Sequence, residues 1–137
     1  MRKITIIFHS GYGHTKRVAE HVHKGVVFSD VTVESIAIDS EGNLPEAAWQ
    51  TLQDSDAIIF GTPTYMGGPS WQFKKFADAS SKQWFAMAWK GKVAAGFTNS
   101  GSITGDKGSC DDEEDWETAG NISRFGFWHC RLILGVV

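Results

Sequence analysis

A short polar segment, Ser10–Thr15, carries the residue types that bind anions. It reads SGYGHT, follows the apolar run ITIIF and precedes a stretch with helical spacing. Gly11 and Gly13 let backbone N–H groups approach an anion without an intervening Cβ, while Ser10 and Thr15 add hydroxyl groups. The positive end of the following helix points to the same place. The pattern predicts a phosphate-binding loop, and a tight turn that needs glycine but holds no ligand is the alternative.

The spacing within this loop separates classes of phosphate ligand. The loop lacks the Gly-Lys-Ser/Thr sequence of nucleoside triphosphate sites. Lys16 occupies the sixth position, where a G-x-G-x-x-G dinucleotide loop requires a small residue, and the large Arg17 follows it. A phosphate monoester on a flat cofactor therefore agrees with the sequence better than a triphosphate or a dinucleotide does.

Two further glycine-containing loops, Gly61–Ser70 and Thr98–Gly105, each follow an apolar run. In the first, Pro63 stiffens the turn and Tyr65 supplies a ring that can lie beside a planar ligand. Because parallel strands end at one edge of a sheet, all three loops are expected to converge there, where α/β folds bind ligands. The sequence predicts a single binding crevice, and rigid connectors without a ligand are the alternative.

The elements that position these loops alternate between apolar runs and helical stretches. Strands are predicted at 3–8, at 31–38, in AIIFGTPTY and in KVAAGFTNS, and helices are predicted from Thr15 to Lys24, from Pro45 in PEAAWQTLQDS, and over Ser70–Ala88. The order β-α-β-α-β-α-β predicts an α/β fold, with a doubly wound parallel sheet between two layers of helices.

The composition of the chain excludes several classes of protein. Its 137 residues, 42% hydrophobic and 21% charged, are typical of one globular domain. A net charge of −3 gives no basic surface for nucleic acid or an anionic membrane. The N-terminal apolar run is too short to span a membrane and lacks the features of a signal peptide. Two cysteines, Cys110 and Cys130, form no disulfide framework, so a reducing compartment, the cytoplasm, is expected.

Over residues 1–108 the chain resembles the flavodoxin-like NAD(P)H:quinone oxidoreductases of the WrbA type. The resemblance rests on SGYGHTKRVAEHV, IIFGTPTYMGGPSWQFKKFAD, QWFAMAWKGKVAAGFTNSGS and TGDKGS, in this order and spacing. It implies a flavodoxin-like fold, FMN as cofactor, NADH or NADPH as electron donor and a quinone as acceptor. No side chain is implied to be catalytic, because the flavin carries out the redox chemistry.

The resemblance also implies which residues contact FMN. The phosphate would be surrounded by Ser10, Gly11, Tyr12, Gly13, His14 and Thr15. The isoalloxazine would be bordered by backbone groups of Pro63, Thr64, Tyr65, Met66 and Gly67, and on a third side by Thr98, Asn99, Ser100 and Gly101. Trp84 would lie beside the open face of the flavin, often at the site of a neighbouring subunit. A flavodoxin-type electron carrier without NAD(P)H oxidation and a truncated, non-catalytic flavin-binding module are the alternatives.

The histidines near the first loop are not expected to bind a metal. His21 and His23 are two residues apart, so they cannot share one face of a helix, and no carboxylate or cysteine joins them. They are interpreted as solvated residues of a helix surface.

The sequence after Gly108 departs from the family. The acidic block CDDEEDWETAGN stands where the fold needs an amphipathic helix, and the C-terminal helix is missing or atypical. One hypothesis is that a frameshift or truncation has altered residues 109–137. The other is a naturally shortened single domain in which FGFWHCRLILGVV supplies a fifth strand. Either hypothesis calls the homo-oligomer of the family, a dimer or tetramer, into question.

Overall fold

The computed structural model describes residues 1–27, 30–101 and 130–136. The strands are β1 (Arg2–His9), β2 (Val31–Ile38), β3 (Ala57–Tyr65), β4 (Gly68–Pro69), β5 (Val93–Asn99) and β6 (Cys130–Val136). The helices are α1 (His14–Val26), α2 (Ala48–Gln53), α3 (Trp71–Ala79) and α4 (Ser81–Phe85).

The sheet has the strand order β2-β1-β3-β5-β6. Strand β1 lies between β2 and β3 and is parallel to both, and β3 is parallel to β5. The chain reverses direction across the sheet after β2, so the switch point lies between β1 and β3. The predicted α/β fold with a doubly wound sheet is confirmed, and its crevice lies at the ends of β1, β3 and β5.

Strand β6 differs from the parallel sheet that the sequence predicts. It pairs antiparallel with β5, from Val93 opposite Val136 to Asn99 opposite Cys130. The C-terminal run therefore supplies a fifth strand of the main sheet, but in the reverse direction. An edge strand has one neighbour, so either direction satisfies the backbone groups that face inward. The acidic block, within residues 102–129, lies outside the described residues.

Two predicted helices have different bounds in the structure. Pro45 opens a turn, closed by the Ala48 N–H donating to its carbonyl at 2.9 Å, and α2 begins only at Ala48. The stretch predicted as one helix is divided at Ser80, whose hydroxyl donates to the Ala77 carbonyl at 2.7 Å. A serine side chain that bonds the preceding turn competes with continuation of the helix. No helix in the described ranges is long and apolar enough to cross a membrane.

The core lies on both faces of the sheet. Successive residues of β1 point to opposite faces, so Ile6 and Phe8 pack under α1, whereas Ile7 packs under α2 and α3. The layer beneath α1 is completed by Ala19, Ile59, Ala95 and Phe97. The opposite layer includes Ile36, Ile38, Leu52, Phe60, Phe73, Phe76 and Trp89. Burial of β1 on both faces explains its continuous apolar sequence.

Gly61 of β3 is a point of close packing within the layer under α1. It pairs with Phe97 of β5. A Cβ at Gly61 would lie 2.7 Å from Cε2 of Phe97 and 2.9 Å from Cβ of Phe8, both inside normal contact distance. Glycine at this position therefore lets the ring of Phe97 cross the neighbouring strand.

Candidate functional site

The first loop, Ser10–Thr15, connects the end of β1 to α1. The Ser10 Oγ accepts hydrogen bonds from the backbone N–H groups of Gly13 and Lys16, each at 3.1 Å. Gly13 precedes the helix with a φ of 92°, in the left-handed region where a side chain is strained. Ser10 therefore shapes the loop from the inside, and Gly13 permits the turn into α1.

The start of α1 leaves donors available inside this loop. Of the first N–H groups of the helix, Lys16 donates to Ser10 and Arg17 to the Gly13 carbonyl. The N–H groups of His14 and Thr15 meet no acceptor within the described part of the chain. A helix of 13 residues adds the positive end of its dipole at this point. The loop has the donors and the potential of an anion site.

The sequence suggests that the Thr15 hydroxyl contributes to the anion-binding loop, but in the structure it makes a different contact. Thr15 is 1% exposed, and its hydroxyl donates to Oδ1 of Asn99 at 2.7 Å. The bond joins the first turn of α1 to the end of β5. The hydroxyl of Thr15 therefore holds the first and third loops together.

Replacing Thr15 with valine should lower the free energy of unfolding by about 1–3 kcal/mol. The side-chain oxygen Oδ1 of Asn99 would lose its donor, while the shape of residue 15 is retained. Urea unfolding measures the change. Thr15→Ser keeps the hydroxyl and should lose less. Thr32→Val, at an exposed position of β2, is the matched control and should stay within about 0.5 kcal/mol of the unchanged protein. Equal losses in Thr15→Val and Thr32→Val would contradict a linking role for this bond.

The second loop forms a β-hairpin at the end of β3. Met66 and Gly67 have φ values of 51° and 83°, as in a type I′ turn, and Tyr65 pairs with Gly68 across it. At its far end the Ser70 hydroxyl caps α3 by accepting from the Phe73 N–H at 3.3 Å. The hairpin is therefore held at both ends and presents its tip to solvent.

The second and third loops are also joined. The hydroxyls of Thr64 and Thr98 lie 2.7 Å apart, linking the end of β3 to the end of β5. Together with the bond between Thr15 and Asn99, this contact brings all three predicted loops to one edge of the sheet. The predicted convergence is confirmed for the residues up to Gly101.

Tyr65 brings the second loop onto the first. Its ring lies 6.2 Å from the ring of Tyr12 at 80°, an edge-to-face contact. A Cβ at Gly11 would overlap the Tyr65 hydroxyl. Burial raises the pKa of Tyr65, nearby Tyr12 adds to that rise, and the Gly11 N–H, which donates to the phenol oxygen, opposes it. The side chain thus reaches the first loop, and a ring beside a planar ligand stays a prediction.

The remaining predicted residues differ in position. Pro63 is buried, whereas Met66 at the hairpin tip is fully exposed. Ser100 and Gly101 directly follow β5 at the same edge. Trp84 lies on α4, is 59% exposed, and its backbone bonds Ser80 and Met87 locally. The structure therefore joins the three loops through individual residues, and the place of Trp84 beside the flavin stays a prediction.

His9 is a residue of this region that sequence reasoning did not assign to the site. It ends β1 directly before the first loop and is 3% exposed. Its Nδ1 has no hydrogen-bond partner among the described residues, and burial lowers its pKa. An apolar run that ends in a histidine is the only signal of it in the sequence. Among the described residues, no three His, Cys, Asp or Glu side chains group together as metal ligands.

The lowered pKa of His9 predicts a pH dependence of stability. Below its ordinary pKa of 6.5 the unfolded chain binds a proton that folded His9 resists, so the free energy of unfolding should fall as the pH decreases from about 7.5 to 5.5. The free energy of unfolding stops falling once the pH is below the pKa of His9 in the folded protein. His9→Gln removes this titration and should flatten the profile, which urea midpoints measure. Parallel profiles for both proteins would argue against it.

Comparison with known proteins places this chain among flavoproteins. Residues 3–114 match the family described as NADPH-dependent FMN reductase. Flavodoxin FldP of Pseudomonas aeruginosa is 54% identical over 107 residues, which are 78% of this chain and 55% of that protein. A flavodoxin of Clostridium saccharobutylicum is 38% identical over 104 residues, 75% of this chain and 59% of that protein. The chain thus spans little more than half the length of either relative.

A solved structure agrees with these matches. The flavodoxin, WrbA-like protein from Agrobacterium tumefaciens is 55% identical, with a TM-score of 0.75, covering 88% of this chain and 73% of that one. The Trp repressor binding protein of Bacillus subtilis, at 22% identity and a TM-score of 0.59, shares the fold. The fold is flavodoxin-like, and the chain belongs to the NADPH-dependent FMN reductase family.

Proposed function

We propose that the chain binds FMN at the three joined loops and acts as an oxidoreductase through it. The observation that carries the proposal is the pair of N–H groups of His14 and Thr15, which have no acceptor within the described part of the chain, at the positive end of α1. The Thr15 hydroxyl ties their loop to the end of β5, to which the contact between Thr64 and Thr98 also ties the second loop. A phosphate monoester dianion supplies the acceptors that these donors lack.

The residues present are suited to FMN. The phosphate would be held by the backbone of Ser10, Gly11, Tyr12, Gly13, His14 and Thr15. The ring would be bordered by Pro63, Thr64, Tyr65, Met66 and Gly67, and by Thr98, Asn99, Ser100 and Gly101. Bound FMN supplies the chemistry of accepting a hydride and passing on electrons, while the loops orient it and tune its surroundings. Trp84, already exposed, is proposed for the open face of the ring.

We further propose that NADH or NADPH is the donor and a quinone the acceptor, so that two electrons pass per turnover. The family description and the likeness to a WrbA-like protein support this activity. A second candidate is an electron carrier that does not oxidise NAD(P)H, which the names of the two flavodoxin relatives favour. We also propose a cytoplasmic location, where the NAD(P)H that the first candidate requires is found. We also propose that the chain forms a single domain and assembles as a homo-oligomer.

A sequence of two measurements tests the proposal. FMN is added to the purified full chain, and the quenching of flavin fluorescence gives the affinity. The loaded protein is then supplied with NADH or NADPH, with and without a soluble benzoquinone. Oxidation that depends on the quinone supports the first candidate. FMN binding without such oxidation supports the electron carrier, and no FMN binding overturns both.

A further inference from the structure

The side chain of Tyr65 extends from its hairpin and contacts the first loop. Its hydroxyl lies against the backbone of Gly11, and its ring packs edge-to-face on Tyr12. Gly11 is not in the left-handed region, unlike Gly13 with a φ of 92°. The contact with Tyr65, rather than the backbone conformation, therefore requires glycine at position 11.

The hydrogen-bonding capacity of Tyr65 suits an anion in this loop. Its phenol oxygen accepts from the Gly11 N–H, so its own hydrogen remains to be donated. The ordinary pKa of a phenol, 10.0, already lies above neutral pH and burial raises the pKa of Tyr65 further, so the hydroxyl keeps that hydrogen. A hydroxyl that donates to a charged phosphate oxygen makes a stronger bond than one between neutral groups. Tyr65 thus adds a side-chain donor from the second loop to the groups of the first loop.

The two tyrosine rings also limit the shape of the ligand. At a separation of 6.2 Å and an angle of 80°, the two rings contact each other beside the loop, with the Tyr65 hydroxyl against Gly11. A terminal phosphate needs only one path for its ester chain. A diphosphate needs a second path for the group beyond it, and two rings beside the loop are bulky enough to obstruct such a path. Tyr65 is 37% exposed and Tyr12 85% exposed, so the obstruction lies at the surface of the protein.

We propose that Tyr65 determines specificity at the FMN site: its hydroxyl donates to the ligand phosphate, and with Tyr12 it admits a phosphate monoester but not a dinucleotide such as FAD. This inference rests on the proposed binding of FMN. It assigns to the Tyr65 side chain a role at the phosphate, distinct from the border of the flavin ring.

Affinities of three flavins test this role. Apoprotein of the full chain is titrated with FMN, riboflavin and FAD, and flavin fluorescence is followed for the unchanged protein, Tyr65→Phe and Tyr65→Ala. Tyr65→Phe should weaken FMN binding about ten-fold or more and leave riboflavin, which has no phosphate, unchanged. Tyr65→Ala should also narrow the preference for FMN over FAD, because the obstruction is gone. Thermal melting confirms that each variant is folded.

Gly11→Ala provides an independent test, because a methyl group at position 11 displaces the Tyr65 hydroxyl. It should weaken FMN binding as Tyr65→Phe does. In the Tyr65→Ala background the same substitution should have little further effect, since the side chain it would collide with is absent. Independent, multiplicative losses in the double variant would overturn the inference.

The remaining outcomes are also decisive. If Tyr65→Phe binds FMN as tightly as the unchanged protein does, the proposed role of the hydroxyl at the phosphate is overturned. Tighter binding by Tyr65→Phe also overturns it, and would show that the phenol competes with the phosphate for the loop. Equal losses of FMN and riboflavin overturn it in favour of a structural role. If the unchanged protein binds no flavin, the proposed function itself is wrong and the inference with it, whereas unchanged FMN binding in the variants removes the inference alone.

Discussion

Replacing Gly61 with alanine is expected to lower the free energy of unfolding by about 2–3 kcal/mol. The new Cβ would lie 2.7 Å from Cε2 of Phe97 and 2.9 Å from Cβ of Phe8. Phe97 is held in register opposite Gly61 by the pairing of β3 and β5, and Phe8 belongs to the central strand. The Cβ of Phe8 is fixed by the backbone of its strand, and the ring of Phe97 is buried among other core side chains, so the collision must strain the core. Urea unfolding followed by circular dichroism measures the loss.

Two further variants identify the cause of that loss. Phe97→Leu makes room for the new methyl group, so the double variant should lose less than the sum of the single losses. Gly25→Ala, in α1, is the matched control, because nothing lies within 4 Å of a Cβ there. It should raise the free energy of unfolding, by up to about 1 kcal/mol, since alanine favours the helix. Strictly additive losses in the double variant would show that packing against Phe97 is not the reason.

Replacing Gly13 with alanine should weaken FMN binding about ten-fold or more and lower the free energy of unfolding by about 1–3 kcal/mol. Space is not the cause, because no atom of the described residues lies within 4 Å of a Cβ at this position. The cause is the φ of 92° at Gly13, which alanine adopts only with strain and which sets the path of the backbone into His14 and Thr15. A relaxed alanine would turn their N–H groups away from the phosphate.

Gly91→Ala is the matched control for this variant. Gly91 has a φ of 85° and also has open space around its Cβ position, but it lies in the turn before β5, at the end of the sheet away from the loops. The two variants should lose similar stability, and only Gly13→Ala should lose FMN affinity. Fluorescence titration and urea unfolding of both proteins give the comparison. A similar loss of affinity in Gly91→Ala would mean that general destabilisation, not loop geometry, governs binding.

Much of the fold followed from local patterns in the sequence. Continuous apolar runs identified the buried strands, and their spacing left room for crossover helices, so the order of elements was predictable. The division of the third helix was less accessible, because Ser80 ends it through a side-chain bond that composition does not reveal. The antiparallel direction of β6 was not predictable either. A strand pattern states which residues alternate but not which way an edge strand runs.

The candidate site was predictable as three loops but not in its contacts. The glycines and hydroxyls of SGYGHT indicated an anion site, and the fold brought the loops together. Two contacts depend on residues far apart in sequence: Thr15 turns inward to Asn99, and Tyr65 crosses to Gly11. Pairs of this kind follow from strand register and from the turn at Met66 and Gly67, which are known only once the sheet is assembled.

The links from the loops to β5 have a consequence for how the site opens. Thr15 is bonded to Asn99 and Thr64 contacts Thr98, so the first and second loops are both held by the end of β5. Segments that share bonds with a central strand open cooperatively with it rather than fraying alone. The amide hydrogens of Lys16 and Arg17, which are hydrogen-bonded in the first turn of α1, should therefore exchange with solvent at rates close to those at the end of β5. These bonded parts of the crevice would exchange slowly, even though the crevice is built from loops.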